Sequence, residues 1–253
     1  MVDLSFVQMS ILFAAALFGG FVDSIAGGGG IITLPALLSV GLPPHLALGT
    51  NKLQASFGSL TATLNYRYGK MLSFKALGLG IAFTAFGAFT GTIAVQLISS
   101  DWLNHIIPLL LVVFFVYVLC NPDLGSIRGS QLIHQRLFYL LFGCMIGAYD
   151  GFFGPGTGAL WTMAFVLLLG FDLKKATAHT KALNFTSNIV SFIVFFLGGN
   201  VVVIAGIIMG IGQVLGSYLG SNMVLKHGTF FVRVFFLSVV AITIAKLLFS
   251  TYY

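Results

Sequence analysis

The stretches Asp23–Gly30, DSIAGGGG, and Asp150–Gly158, DGFFGPGTG, carry one pattern twice, about half a chain apart in a sequence of 253 residues. Each copy sets a lone carboxylate beside a glycine-rich break in a hydrophobic run. Each is followed by a lysine inside the next hydrophobic run, Lys52 in TNKLQ (50–54) and Lys181 in HTKALN (179–184). Paired charges of this kind, in a chain otherwise nearly free of them, read as a duplicated membrane protein with a binding site between its copies.

Composition bounds the class. Hydrophobic residues make up 58% and charged residues 7%, with a mean hydropathy of +1.04, whereas charged residues make up roughly a quarter of a soluble domain. A membrane helix needs about 20 apolar residues, so the chain has room for about eight to ten spans and for no soluble domain. The first run, roughly 6–22, has only Asp3 before it and no basic residue; it lacks the charged start and cleavage site of a signal peptide and reads as a retained helix. A net charge of +6 is explained first by cytoplasmic-loop bias, not by nucleic acid. Cys120 and Cys144 form no CxxC pair, hold unmatched places in the two copies and read as small apolar fillers.

Gly, Pro, Asn and charge clusters divide the hydrophobic runs at about 6–24, 27–41, 46–66, 74–98, 103–121, 132–150, 154–170, 176–197, 200–222 and 231–249. If all ten cross, alternate connections put Arg67, Lys70, Lys75, Arg128, Arg136, Lys174, Lys175, Lys226 and Arg233 on one side, nine of the 12 Lys and Arg. The opposite connections receive none. The basic side is then cytoplasmic and both termini face outward. Five segments per copy is an odd number, so the second copy enters the membrane in the opposite sense. The expectation is an all-α polytopic membrane protein of two inverted repeats, residues 1–125 and 126–253, each of about five segments, forming one membrane domain. Segments 27–41 and 154–170 are too short to span the ~30 Å hydrocarbon layer as straight helices. Short Gly/Pro-broken segments at matched places point to a site near the midplane.

Gly27, Gly28, Gly29 and Gly30, and in the second copy Gly154, Pro155, Gly156 and Gly158, remove side chains where the chain must turn or let a ligand approach; Thr157, within the second stretch, is counted with them as a substrate-binding candidate. Helices that start there aim free N–H groups and a positive dipole end into the cavity, which suits an anion. The alternative is that these glycines only let helices pack closely. Asp23 and Asp150 are the only carboxylates within the hydrophobic runs, and the chain has no Glu. A charged Asp at depth costs several kcal/mol unless paired or facing water. Capping of the helix that follows and uptake of a coupling proton are its two readings.

Lys52 and Lys181 lie some five residues into their runs, where a lysine either snorkels to the surface or holds an anion. Each heads a polar stripe: Lys52, Ser56, Ser59 and Thr63 in one copy, and Thr177, Lys181, Asn184, Asn188 and Ser191 in the other, within about 80° of a helical face at ~100° per residue. Such stripes serve as interhelical contacts or as ligand-facing surfaces. Thr50, Asn51, Gln54, His179 and Thr180 surround the lysines with donors for oxyanion oxygens.

The stretches DSIAGGGG, LPALLSVGLPPHLALGTNKLQ, YDGFFGPGTG, KKATAHTKALNFTSNI and LGGNVVVIAGIIMGIGQVLGSYLGS together resemble the sulfite exporter TauE/SafE family, also called the 4-toluene sulfonate uptake permease family. The likeness runs over essentially the whole chain and is greatest to the YfcA-like branch. It implies a bacterial multi-pass inner-membrane protein that moves sulfite, organosulfonates or other sulfur compounds, and it supplies no catalytic residues. The second copy departs from the first at Pro155 and at His179 in place of Thr50.

Residues and resemblance together lead to the expectation of a secondary transporter without enzyme activity, metal or cofactor. Its partners are a small anionic substrate and membrane lipid, with no nucleic acid; a homo-oligomer is left open. The broken helices, Lys52 and Lys181 hold the anion, Asp23 or Asp150 carries a proton, and one repeat rocks against the other. No GxxxxGK[ST] motif is present for ATP. The alternatives are a passive anion channel and an intramembrane thiol protein working through Cys120 and Cys144.

Overall fold

The computed structural model describes residues 4–72, 74–107, 109–110 and 131–227, which are helical and contain no strand. Most of the expected segment 103–121, all of 231–249, and Cys120 lie outside them. The helices follow the hydrophobic runs: α1 Phe6–Ala26, α2 Gly30–Ser39, α3 Pro44–Tyr68, α4 Phe74–Gln96, α5 over residues 100–107, α6 Gln135–Phe138 continuing through the π turn Tyr139–Gly143 into α7 Cys144–Phe152, α8 Thr157–Leu169, α9 Leu173–Leu197 and α10 Val203–His227. Phe6–Ala26, Leu77–Gln96, Leu173–Leu197 and Val203–Lys226 are long and apolar enough to cross a bilayer. The 25-residue α3 is as long as α9, but its polar residues keep it out of that class.

Local chemistry sets the ends. Ser5 opens α1 in a reciprocal capping box with Gln8, and Asp172 opens α9 by accepting the Lys175 N–H at 2.9 Å. Pro44 occupies the first turn of α3, where a missing N–H costs nothing. Between α1 and α2 the chain breaks at Gly27, whose φ of 82° is one that only glycine adopts without strain. As the breaks require, α2 has 10 residues and α8 has 13, about 15 and 20 Å of rise.

The helices sort into two bundles that do not follow chain order. One packs α1, α2, α3 and α10 together; the other packs α4, α7, α8 and α9. The first half of the chain therefore gives α4 to the second bundle, and the second half gives α10 to the first. Each pairing has its counterpart when the halves are exchanged: α1 against α10 matches α7 against α4, and α3 against α10 matches α9 against α4. The bundles meet along α3 and α9, with lesser contacts of α1 on α8 and α9.

Small residues draw the exchanged helices together. Gly212, Gly216 and Gly220 on α10 lie against the carbonyls of Phe13, Leu17 and Phe21 on α1, while Gly143, Gly147 and Gly151 on the π turn and α7 face Phe83, Thr84 and Ala88 on α4. Lipid supplies no hydrophobic drive between helices, so close van der Waals approach of this kind does the work.

The connections also sort. Gly69–Leu72, Gln131, Phe171–Lys175 except Leu173, and Leu225 line one cavity, whereas Leu38–Pro44 except Ser39 and Val40, and Ser100–Ile107, the latter through Ser100, Leu103, Asn104 and Ile107, line another. The first gathers basic connections and the second gathers connections without Lys or Arg.

Candidate functional site

Asp23 sits one turn before α1 ends, and Asp150 holds the same place before the end of α7. Lys52 and Lys181 lie in the third turn of α3 and of α9. Packing α3 against α9 brings the four charges together, and the partners cross between the halves. Lys52 Nζ is 2.6 Å from Asp150 Oδ1, and Lys181 Nζ is 3.0 Å from Asp23 Oδ2. Both pairs span the boundary between the bundles. Both lysines are 1% exposed, so neither snorkels.

The two pairs differ in tightness. Asp150 is buried; it accepts Ser187 Oγ on its second oxygen, and its backbone carbonyl also accepts Lys52. Asp23 has a side chain 20% exposed and takes the Gly29 N–H at 3.4 Å. Asp23 thus accepts the N–H of the residue before α2, and the first turn of that helix carries no side-chain cap. At Asp150 the carboxylate is taken up by Lys52 and Ser187 instead. Ion pairing, one of the two ways the sequence left open for a charge at membrane depth, is the contact they share.

Around the pairs is a cavity of about 30 Å³, room for about two waters. Both broken segments reach it: Gly27, Gly29 and Gly30 from one half, and Gly154, Gly156, Thr157 and Gly158 from the other. The backbones touch where α1 ends and α8 begins, since a Cβ on Gly158 would overlap the Cα of Gly27. Close packing and cavity lining are therefore one role at these two glycines. Asn51, Lys52, Gln54, Asn184, Asn188, Asp23 and Asp150 complete the expected set in the cavity wall.

Other expected residues lie elsewhere. Gly28 is not in the wall; its carbonyl accepts the Ile31 N–H at 3.1 Å. Thr50 points to α10 and accepts the Val202 N–H at 2.9 Å. Thr180 lies 3.1 Å from the Thr162 hydroxyl. His179 faces the basic cavity, with Nδ1 2.8 Å from the Lys175 carbonyl. The side chain of Lys181 meets the site through Asp23.

The stripe on α3 resolves into neither expected role. Ser56 donates to the Lys52 carbonyl at 2.8 Å, Ser59 to Ala55 at 2.7 Å and Thr63 to Ser59 at 2.6 Å, all within their own helix. Three residues went unread in the sequence: Gln213 of α10, which lines the cavity beside Ala55, Ser187, and Thr33, which donates to Asn51 Oδ1 at 2.7 Å. An amide in the interior of the apolar run 200–222, away from Asn200 and Asn222 at its ends, was a usable signal for Gln213; a single serine or threonine carries none.

The charges balance, two ammoniums against two carboxylates. Two buried polar atoms in the wall, Gln54 Oε1 and Asn184 Oδ1, have no partner among the described residues, a state that costs about 1–3 kcal/mol each and invites water or a ligand.

The family model described as Sulfite exporter TauE/SafE matches residues 12–247. The chain is 43% identical over 244 residues to the "Probable membrane transporter protein YfcA" of Escherichia coli K12, covering 96% of this chain and 91% of the relative. It is 42% identical over 231 residues to a "Probable membrane transporter protein" of Haemophilus influenzae, covering 91% of each. It is 44% identical over 229 residues to the "Probable membrane transporter protein ORF9" of a Sinorhizobium species, covering 90% and 87%. No solved structure matches.

Proposed function

The chain belongs to the sulfite exporter TauE/SafE family, a family of membrane proteins, and from that membership we propose that it is a secondary transporter of a small oxyanion, sulfite or an organosulfonate, coupled to protons. It works in the bacterial inner membrane, without enzyme activity, as two inverted repeats whose fourth helices are exchanged. The observation that carries this reading is the crossed pairing of Lys52 with Asp150 and Lys181 with Asp23. Anion and carboxylate compete for one ammonium. A proton on the aspartate releases the lysine, and the anion then takes the carboxylate's place.

Both pairs cross the boundary between bundles, so exchanging carboxylate for anion loosens that boundary. Because α4 and α10 are exchanged, the moving bodies are the two bundles, in place of the two repeats expected from the chain order. Apolar packing closes both ends: Ile25, Tyr66, Ala178 and Val224 toward the basic connections, and Leu34, Leu48, Phe153 and Phe195 toward the others. Small size and apolar closure favour a carrier over a channel.

The test is uptake of sulfite, a small sulfonate and acetate by proteoliposomes, with and without a pH gradient. Saturable uptake of the sulfur anions that rises with the gradient is expected. In Asp23→Asn uptake is expected to persist while its dependence on the gradient falls at least several-fold. Gradient-independent uptake by the unaltered protein would remove the proton from the mechanism, and unsaturable flux would favour the channel.

A further inference from the structure

The basic connections enclose a cavity of about 870 Å³, far larger than the central one, and its wall carries Lys70, Lys174, Lys175, His179, Gln131 and Gln135. The one carboxylate among its described wall residues, Asp172, already accepts the N–H of Lys175 at the start of α9. Lys175 Nζ is held 3.9 Å over the Phe171 ring. His179 is set edge-on against Phe165 and Phe171, and its Nδ1 bond to the Lys175 carbonyl leaves Nε2 as the nitrogen available to a ligand. Lys70, with φ of 57°, is the non-glycine residue of positive φ among the described residues. That turn closes α3, with the Met71 N–H on the Tyr66 carbonyl at 3.0 Å, and so fixes where Lys70 leaves the helix. The opposite cavity, of about 500 Å³, is lined by Leu38, Leu42, Pro43, Leu103 and Ile107 among others and, among the described residues, by no charged one.

We propose that the basic cavity is a second, outer anion site, which captures a sulfonate- or sulfite-type oxyanion on the basic face before it reaches the crossed ion pairs. The proposal rests on the anion-transport reading above and adds a sidedness to it. Three ammoniums with little opposing charge concentrate anions at this mouth, and the Gln131 and Gln135 amides supply directed donors for oxyanion oxygens, with His179 beside them as a reporter of occupancy. No such field exists at the other end. Tyr66, which donates to the Ser24 carbonyl at 2.7 Å, packs with Ala178 and Met71 between mouth and centre, so the outer site fills while the centre is closed.

Two measurements test this. In membrane vesicles of both orientations, Lys174→Gln/Lys175→Gln and Lys70→Gly are each expected to raise KM for sulfite roughly tenfold from the basic side, with kcat from that side and the KM from the opposite side unchanged, and kcat from the opposite side lowered by the same factor, as detailed balance requires. An unchanged KM, or an equal rise from both sides, overturns the outer site. Independently of flux, the labelled His179 imidazole, assigned with His179→Gln, is expected to shift in the NMR spectrum on titrating methanesulfonate, and less in Lys174→Gln/Lys175→Gln. The shift should survive in Lys52→Met/Asp150→Leu. No shift, or one that chloride reproduces equally, overturns the proposal. A shift that follows phosphatidylglycerol content in place of free methanesulfonate assigns the cavity to lipid headgroups and overturns it too. If vesicles carry no anion while the His179 response is present, the transport reading fails and the binding site stands.

Discussion

Lys52→Met is expected to lower the stability of the protein by about 3–5 kcal/mol, the cost of leaving one member of a buried ion pair alone. Asp150 is the member left. It is buried, and Ser187 is its one other side-chain partner among the described residues. Replacing both members, Lys52→Met/Asp150→Leu, is expected to return most of that stability, because apolar residues of similar volume substitute well for a buried pair. Ser187 keeps the Leu183 and Asn184 carbonyls as acceptors at 3.2 and 3.1 Å. The double variant should nevertheless carry no anion. Thermal unfolding in detergent reads the first effect, and proteoliposome uptake the second. A single variant as stable as the unaltered protein would show that Asp150 is not held as an unpaired charge; a double variant with full flux would remove the pair from transport. Lys181→Met should be milder, since Asp23 reaches the cavity and retains the Gly29 N–H.

The second large effect belongs to Gly158→Ala. An added Cβ there overlaps the Gly27 Cα and stands 2.9 Å from the Gly27 carbonyl oxygen. Gly158 does not have a positive φ, so the effect is steric alone. Backbone on both sides leaves no side chain to yield, and overpacking of this kind costs about 1–3 kcal/mol or more. The change also wedges α1 from α8 where the bundles close, and uptake should fall at least tenfold. Gly78→Ala is the control. Nothing lies within 4 Å of a Cβ there, and alanine favours a helix over glycine by about 1 kcal/mol, so this variant should be unchanged or slightly more stable. Equal uptake in the two variants would show that the contact between Gly27 and Gly158 is not needed for closure.

These contrasts mark where sequence reasoning stopped. Helix lengths and breaks were legible because each run is bounded by residues with a backbone preference: Gly27 and Gly154 at positive φ, Pro44 in a first turn, Asp172 as a cap. Asp23, Asp150, Lys52 and Lys181 were legible as site residues because charge at membrane depth needs compensation. His179, Thr50 and Thr180 were grouped with them on nearness in sequence, and neighbours in sequence point around different sides of a helix. Gln213 joins the cavity from α10, a helix that nothing local in the sequence ties to either motif.

By itself, then, the sequence determined the number and length of the described helices, the two breaks, and the demand that four buried charges be matched. It did not determine the match. Pairing within each half, Asp23 with Lys52 and Asp150 with Lys181, satisfies the same demand as the crossed pairing, because an ion pair depends on distance and burial and not on chain order. Tertiary structure decided between them: the exchange of α4 and α10 and the crossing of α3 with α9 place each lysine beside the other half's aspartate.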